Sequence, residues 1–313
     1  MTTKSRRISS IKQLSPLRYP GGKALLAPYI SGVLEENYLT GCTFYEPYAG
    51  GASVSLYLLK MGFIDKAVLI ERDPLVFAFW KSVLEQPAEL IDLINKCPVT
   101  LDNWKQLQPL RDLKHPSKGH SYSLTELGLA GIFFNRTNFS GIMGAGPIGG
   151  MSQTSNYKID CRFNKDTVCQ LITEISQYKK RIDVRFDDAV SFLVRNAKKI
   201  SSEFAFVYID PPYYAQGKKL YRHFYEDRDH QALAEYITSQ GYPWVLSYDD
   251  HPRIRELYAK KRMQPIYLDY KVKSNRTAQE LVISNLVIPP PVYEGAVIEE
   301  SGYATHQSAL EMR

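Results

Sequence analysis

Short, largely uncharged runs of aromatic and β-branched residues recur along the chain, separated by longer stretches in which apolar residues return every three to four positions. The short runs predict strands beginning at Thr43 and over 66–70, 181–186, 204–209, 244–248, 266–272 and 280–287. The longer stretches predict helices over 24–36, 76–84, 88–94, 101–110, 124–134, 165–178, 189–198, 229–239 and 252–258. Strand and helix alternate outside the helical region 75–122, so the pattern predicts an α/β fold around a mostly parallel sheet. The run 204–209 carries no charge, as a central strand covered on both faces requires. Pro211 and Pro212 cannot donate to a sheet ladder, so this strand ends at Asp210 and presents its carboxylate at the sheet's carboxyl edge. Open α/β sheets bind their ligands at that edge.

Glycines and prolines mark where the backbone comes close to something. Tyr19, Pro20, Gly21, Gly22 and Lys23 precede the first helix, an arrangement that offers amides and one cation to a ligand. In the segment 43–59, Gly50 and Gly51 turn a strand into a helix without forming the G-x-G-x-x-G dinucleotide pattern. Glu46 ends that strand and is suited to a cationic ammonium. Asp73 follows Gly50 by 23 residues, close to the spacing of about 20 at which a Rossmann acid meets ribose hydroxyls. Five glycines within 141–150 exclude regular structure there. Phe133, Phe134, Arg136, Asn138 and Phe139 flank them with stacking and hydrogen-bonding groups, and Tyr157, Lys158, Arg162 and Lys165 extend a basic, aromatic surface. Capping of the preceding helix is the plain structural alternative for residues 135–140.

Composition narrows the classes further. A chain of 313 residues with 44% hydrophobic content has enough apolar material for a substantial core. A net charge of +6 suits a polyanionic partner without identifying one. The four cysteines form no C-x-x-C pair and the six histidines no H-x-x-x-H pair, so no metal site is expected. No apolar run approaches the roughly 18 residues of a membrane span. A cytoplasmic location, in a prokaryotic cytosol or nucleoid, is the expectation.

Asp210, Pro211, Pro212 and Tyr213 together suit one chemistry. The exocyclic amine of a base is a poor nucleophile because its lone pair is delocalised into the ring. A carboxylate and a proline carbonyl accepting its two N–H bonds draw it toward a tetrahedral, reactive form, while Tyr213 stacks on the base. At these residues the sequence resembles the S-adenosylmethionine-dependent amino-methyltransferases, whose motif reads Asp-Pro-Pro-Tyr in adenine enzymes, commonly Ser-Pro-Pro-Tyr in cytosine enzymes and Asn-Pro-Pro-Tyr in glutamine enzymes. Gly-Gly-Lys ending at Lys23, Glu-Pro-Tyr-Ala-Gly-Gly from Glu46 to Gly51, and Phe-Asn-Arg-Thr-Asn-Phe-Ser-Gly from Phe134 to Gly141 precede it in the order of the Dam-type adenine methyltransferases.

That resemblance implies a Rossmann-like, mostly parallel seven-stranded methyltransferase sheet with a helical and glycine-loop DNA-recognition insertion. It implies a flexible basic N-terminus over 1–16, a catalytic domain over 17–85 and 166–288, target recognition over 86–165 and a tail over 289–313. Asp210, Pro211, Pro212 and Tyr213 carry the chemistry in this reading. Tyr19 (where relatives often have Trp), Gly22, Lys23, Glu46, Gly50, Gly51, Asp73, Phe186 and Asp187 hold S-adenosylmethionine, with Asp210 at its edge. Asp188 stays open as an alternative to Asp187, and either acid is equally suited to capping a helix. Double-stranded DNA is the expected partner, Arg136 and Asn138 reading base edges, Phe139 stacking and Lys158 meeting phosphate. Adenine methylation of RNA, or nucleic-acid binding without catalysis, are the alternatives. The recognised sequence and any restriction endonuclease partner are left open.

Overall fold

Strand β4 (Ala205–Ile209), the uncharged run, is buried at every residue and lies within the sheet between β1 (Cys42–Pro47) and β5 (Trp244–Asp249), parallel to both. β2 (Ile64–Glu71) and β3 (Ile182–Phe186) continue outwards from β1, again parallel. Beyond β5 the direction reverses: β7 (Arg276–Ser284) is antiparallel to β5 and to β6 (Arg262–Tyr270), and the two-residue β8 (Ala296–Val297) pairs with β6. The order is β3-β2-β1-β4-β5-β7-β6-β8. Its seven longer strands form the mostly parallel, Rossmann-like methyltransferase sheet that the sequence implied. Successive strands progress in opposite directions from the β1/β4 boundary, which opens a crevice at their carboxyl ends. The computed structural model describes residues 14–18, 23–215, 217, 224–270, 276–290 and 296–297. Tyr19 and Gly22, and the basic loop and hairpin residues Lys218, Lys219, Arg222, His223, Lys271 and Lys273, lie outside the described residues.

Side chains alternate between two cores, as the pleat demands. Phe44, Phe206, Tyr208 and Val245 face one core, and Tyr45, Val207, Ile209 and Leu246 face the other. Phe44 stacks on Phe206 at 5.5 Å between centroids, joining β1 to β4 through their side chains. Helices α1 (Ala27–Glu36), α2 (Ser53–Met61) and α3 (Pro74–Glu85) cover the first face. α8 (Ala189–Ser202), α9 (Asp227–Thr238) and α10 (Pro252–Leu257) cover the second.

The intervening helices α4 (Pro87–Lys96), α5 (Leu101–Leu107), α6 (Leu124–Thr137) and α7 (Lys165–Ser176) share the first core. α6 begins with a capping box between Ser123 and Glu126 and packs on α3 at two glycines. A Cβ on Gly131 would lie 2.4 Å from the Leu75 carbonyl oxygen, and one on Gly128 would lie 2.8 Å from Ser82 Oγ. Later residues of α6 therefore meet earlier ones of α3, so the helices are antiparallel and the last turn of α6 arrives at the carboxyl edge of the sheet.

Strands β2, β6 and β7 start earlier than their sequence patterns, and β6 does so through a proline. β6 begins at Arg262, whereas Pro265 argues for a later start. Proline is tolerated there because β8 pairs only with Tyr267 and Leu268, leaving Pro265 bonded on one side.

Candidate active site

Five side chains from four separate stretches of the chain converge at the end of β4. Lys23 lies in the short turn before α1 and is only 5% exposed. Its ammonium is 3.4 Å from Asp210 Oδ1 and 2.8 Å from Glu280 Oε2, and it donates to the Tyr213 hydroxyl at 2.7 Å. The same Nζ stands 4.7 Å from the centroid of the Tyr213 ring. Tyr213 in turn donates to Glu280 Oε1 at 2.6 Å. Ser247 of β5 donates to Asp210 Oδ1 at 3.1 Å, which spends its only hydroxyl proton, so Tyr208 is the donor in its 2.9 Å bond to Ser247. Reversal of β7 is what brings Glu280 here: on an antiparallel strand it pairs with Asp249, at the end of β5.

Charge is strongly perturbed in this cluster. Burial pushes the Asp210 carboxyl up to about 6, opposed by Lys23 and reinforced by Glu280. Burial works against the Lys23 ammonium, but Asp210 and then Glu280 more than offset it and hold its pKa well above the ordinary lysine value. The turn that follows is fixed by one acid: Asp249 accepts the backbone N–H groups of Tyr214 and Ala215, each at 2.9 Å.

The ends of β1 and β2 supply two more buried acids. Glu46 accepts from the Ser55 amide at 3.2 Å and from the Ser55 hydroxyl, and burial pushes it up to about 8. Glu71 accepts from the amides of Gly50, at 2.9 Å, and Asp73, at 2.7 Å, and burial lifts it to about 7. Gly50 has φ +45°, and its neighbours Tyr48 and Ala52 are held at φ +69° and +48°, which costs a non-glycine residue about 1–2 kcal/mol each. The strain is confined to the turn that aims the Gly50 amide at Glu71.

Several sequence expectations change in this geometry. Lys23, placed with the cofactor by resemblance, has its ammonium on Asp210. Asp73, placed on the ribose by spacing, is the N-cap of α3: its Oδ1 accepts from Leu75 N at 2.9 Å and Val76 N at 3.3 Å. Glu71 is the acid beside the glycine turn. Pro74, at the first helical position, was the sequence sign that Asp73 is a cap. Asp188 caps α8 through Ser191 N at 3.0 Å, while Asp187 pairs with Arg195. Phe186 lies between the rings of Phe77 and His115, at 5.4 and 5.1 Å. Glu280 and Ser247 were missed because strand periodicity marks a position as buried without revealing which end of the sheet it occupies.

Arg136 and Asn138, expected to read base edges, are 7% and 0% exposed and are used internally. Arg136 Nε donates to Pro16 O at 2.6 Å. Asn138 accepts from Trp104 Nε1 at 2.7 Å and donates to Ile142 O and Met143 O at 3.0 and 3.1 Å. Both are corrected to scaffold roles. Phe139, the next residue, is 67% exposed, and Lys158 is exposed with its ammonium on Gln153 O. Lys165 turns inward to the Asn95 and Cys97 carbonyls at the end of α4.

Among the described residues no group of three or more His, Cys, Asp or Glu is arranged to hold a metal ion, and no helix is long and apolar enough to cross a membrane. No curated protein matches the chain. A solved structure from Pyrococcus horikoshii, described as a candidate RNA methyltransferase, is similar over 90% of this chain and 91% of that one, at 12% identity and a TM-score of 0.36. The model of the D12 class N6 adenine-specific DNA methyltransferases matches residues 19–274, a span that includes β4, its Asp210 edge and both buried acids of the glycine turn. The chain belongs to that family.

Proposed function

We propose that the protein transfers a methyl group from S-adenosylmethionine to the N6 amine of an adenine flipped out of double-stranded DNA. The observation that carries this reading is the edge of β4, where Asp210 and the Tyr213 ring stand together with a lysine ammonium already seated between them. A cationic or amine nitrogen is thus what this site accommodates. Among the described residues no hydrogen bond uses the Pro211 carbonyl, so an acceptor for a second amine proton stands ready.

Asp210, at about 6, is ionised at neutral pH and accepts one N–H of the amine. The Pro211 carbonyl accepts the other, and Tyr213 stacks on the base. Together they hold the nitrogen lone pair out of the ring, which is orientation and electrostatics rather than covalent catalysis. Lys23 has a second seat on Glu280, so an entering amine takes over Asp210 without leaving the ammonium unpaired.

The donor set at the glycine turn fits S-adenosylmethionine. Glu71, held by the Gly50 and Asp73 amides and facing that of Arg72, keeps acceptor capacity for a ribose hydroxyl, and Glu46 has an oxygen with no hydrogen bond among the described residues, suited to an ammonium. When bound, the cofactor would supply a sulfonium methyl, the C–S electron pair leaving on sulfur, and the nitrogen that gains the methyl would give up one of its protons to solvent. Phe186 and Asp187 extend this site along β3, and Gly50 and Gly51 allow the backbone to approach the ligand. Phe139, Lys158 and Tyr157, with Arg162 5.9 Å over its ring, form the exposed face that meets DNA.

Radiolabelled methyl transfer to duplex DNA and to RNA of matched sequence, with digestion to nucleosides, tests the proposal. N6-methyladenine should appear in the DNA and vanish with Asp210→Ala. Absence of the product from every duplex offered to folded protein ends the reading.

A further inference from the structure

We infer that Glu280 is a positioning residue for the methyl transfer, holding Tyr213 in its stacking orientation and drawing the Lys23 ammonium away from Asp210. The inference rests on the functional reading above and goes beyond it, because that reading gives Glu280 no part in orienting Tyr213.

Three observations carry it. Glu280 is 3% exposed, far too buried for a charged residue that served only solubility. Its two oxygens have different partners: Oε1 takes the Tyr213 phenol at 2.6 Å and Oε2 takes Lys23 at 2.8 Å. Lys23 lies nearer to Glu280 than to Asp210, where the separation is 3.4 Å. A phenol bonded at its para oxygen loses the freedom to swing out of the site, so one carboxylate fixes where the ring stands for a base to stack on it. The same carboxylate competes for Lys23, the cation that pairs with Asp210 among the described residues, keeping Asp210 open to an amine.

Glu280→Gln preserves shape and one hydrogen bond while removing the charge. Asp210 faces Lys23 from the turn before α1, Glu280 from β7, Glu46 from β1, Tyr208 from its own strand, Tyr248 from β5 and Tyr213 from the following turn. Among these only Glu280 changes. Single-turnover methyl transfer should slow at least tenfold with cofactor affinity unchanged. The acid limb of the rate profile should move down by about one pH unit, because Asp210 loses a like charge and gains Lys23 outright. Glu280→Asp keeps the charge and should leave the limb in place.

A merely structural Glu280 would lower the melting temperature and leave the acid limb where it was, and that result overturns the inference. A second measurement stands apart from DNA activity. In protein labelled with 13C-tyrosine, the Tyr213 ring carbon bearing the hydroxyl, assigned by Tyr213→Phe, should shift in Glu280→Gln; an unmoved resonance overturns the inference. If the unaltered protein methylates no DNA, the functional reading fails, and the resonance still decides whether Glu280 fixes the ring.

Discussion

Replacing Lys23 with methionine isolates the charge logic of the site. Methionine has nearly the length and volume of the lysine stem, so packing around α1 is largely kept. What remains is Glu280, 3% exposed, and Asp210, with no cation between them. Removing one partner of a buried ion pair costs about 3–5 kcal/mol, and relief comes only as a carboxyl takes up a proton. In the unaltered protein the Lys23 pKa is raised, so its contribution is complete below the ordinary lysine value and is lost only as pH climbs through the folded value. Above about pH 6 its Asp210 is ionised as well. In the variant the Asp210 carboxyl, already raised by burial, loses the ammonium that opposed the rise, so the folded state binds the extra proton and stability falls as pH rises. The deficit against the unaltered protein should therefore be largest near pH 8 and shrink toward pH 6.5, by up to about 1.4 kcal/mol per pH unit while Asp210 titrates. Urea unfolding at the two pH values measures it. A deficit below about 1 kcal/mol, the range of an exposed ion pair, or one that does not change with pH, would refute the reasoning.

Methyl transfer should fall about tenfold per pH unit below about pH 6, as Asp210 takes up a proton and stops accepting the amine; a profile flat to pH 5 would remove Asp210 from that role. Asp73→Ala should cost about 1 kcal/mol through loss of the α3 cap and leave cofactor affinity alone, whereas Glu71→Gln should weaken S-adenosylmethionine at least tenfold by calorimetry. Asn138→Ala should cost about 1–3 kcal/mol, because the buried Trp104 Nε1 loses its acceptor while the Ile142 and Met143 carbonyls keep Ala145 N and Arg111, and methylation profiling on a randomised duplex should show unchanged site preference. Gly131→Ala should destabilise by about 1–3 kcal/mol, read from melting curves, since the added carbon meets Leu75 backbone rather than a movable side chain.

The sheet and the chemical edge were legible because they rest on local rules. An uncharged strand stopped by two prolines locates Asp210 without any tertiary information, and period-two alternation assigns Phe44 and Tyr45 to opposite cores. Glu280 was not legible: its place depends on β7 running backwards, a property of the whole sheet. Arg136 and Asn138 were misread because a polar residue beside a glycine loop looks the same in sequence whether it faces solvent or ties the loop down. Asp73 caps α3, which a spacing rule does not foresee, and the same rule has enough tolerance to admit Glu71 as well.

The two glycines where α6 lies on α3 have a mechanical consequence. Gly131 lies against the Leu75 backbone and Gly128 against the Ala78 carbonyl and the short Ser82 side chain, so little side chain is left to compress or rotate between the helices. The first turn of α3 adjoins Glu71, and the last turn of α6 leads straight into Phe139. The interval between that exposed ring and the sheet edge is thereby gauged by two rigid rods in contact. A strand of the wrong curvature would have to bend to fit the protein, since this part of the protein has no joint with which to meet it.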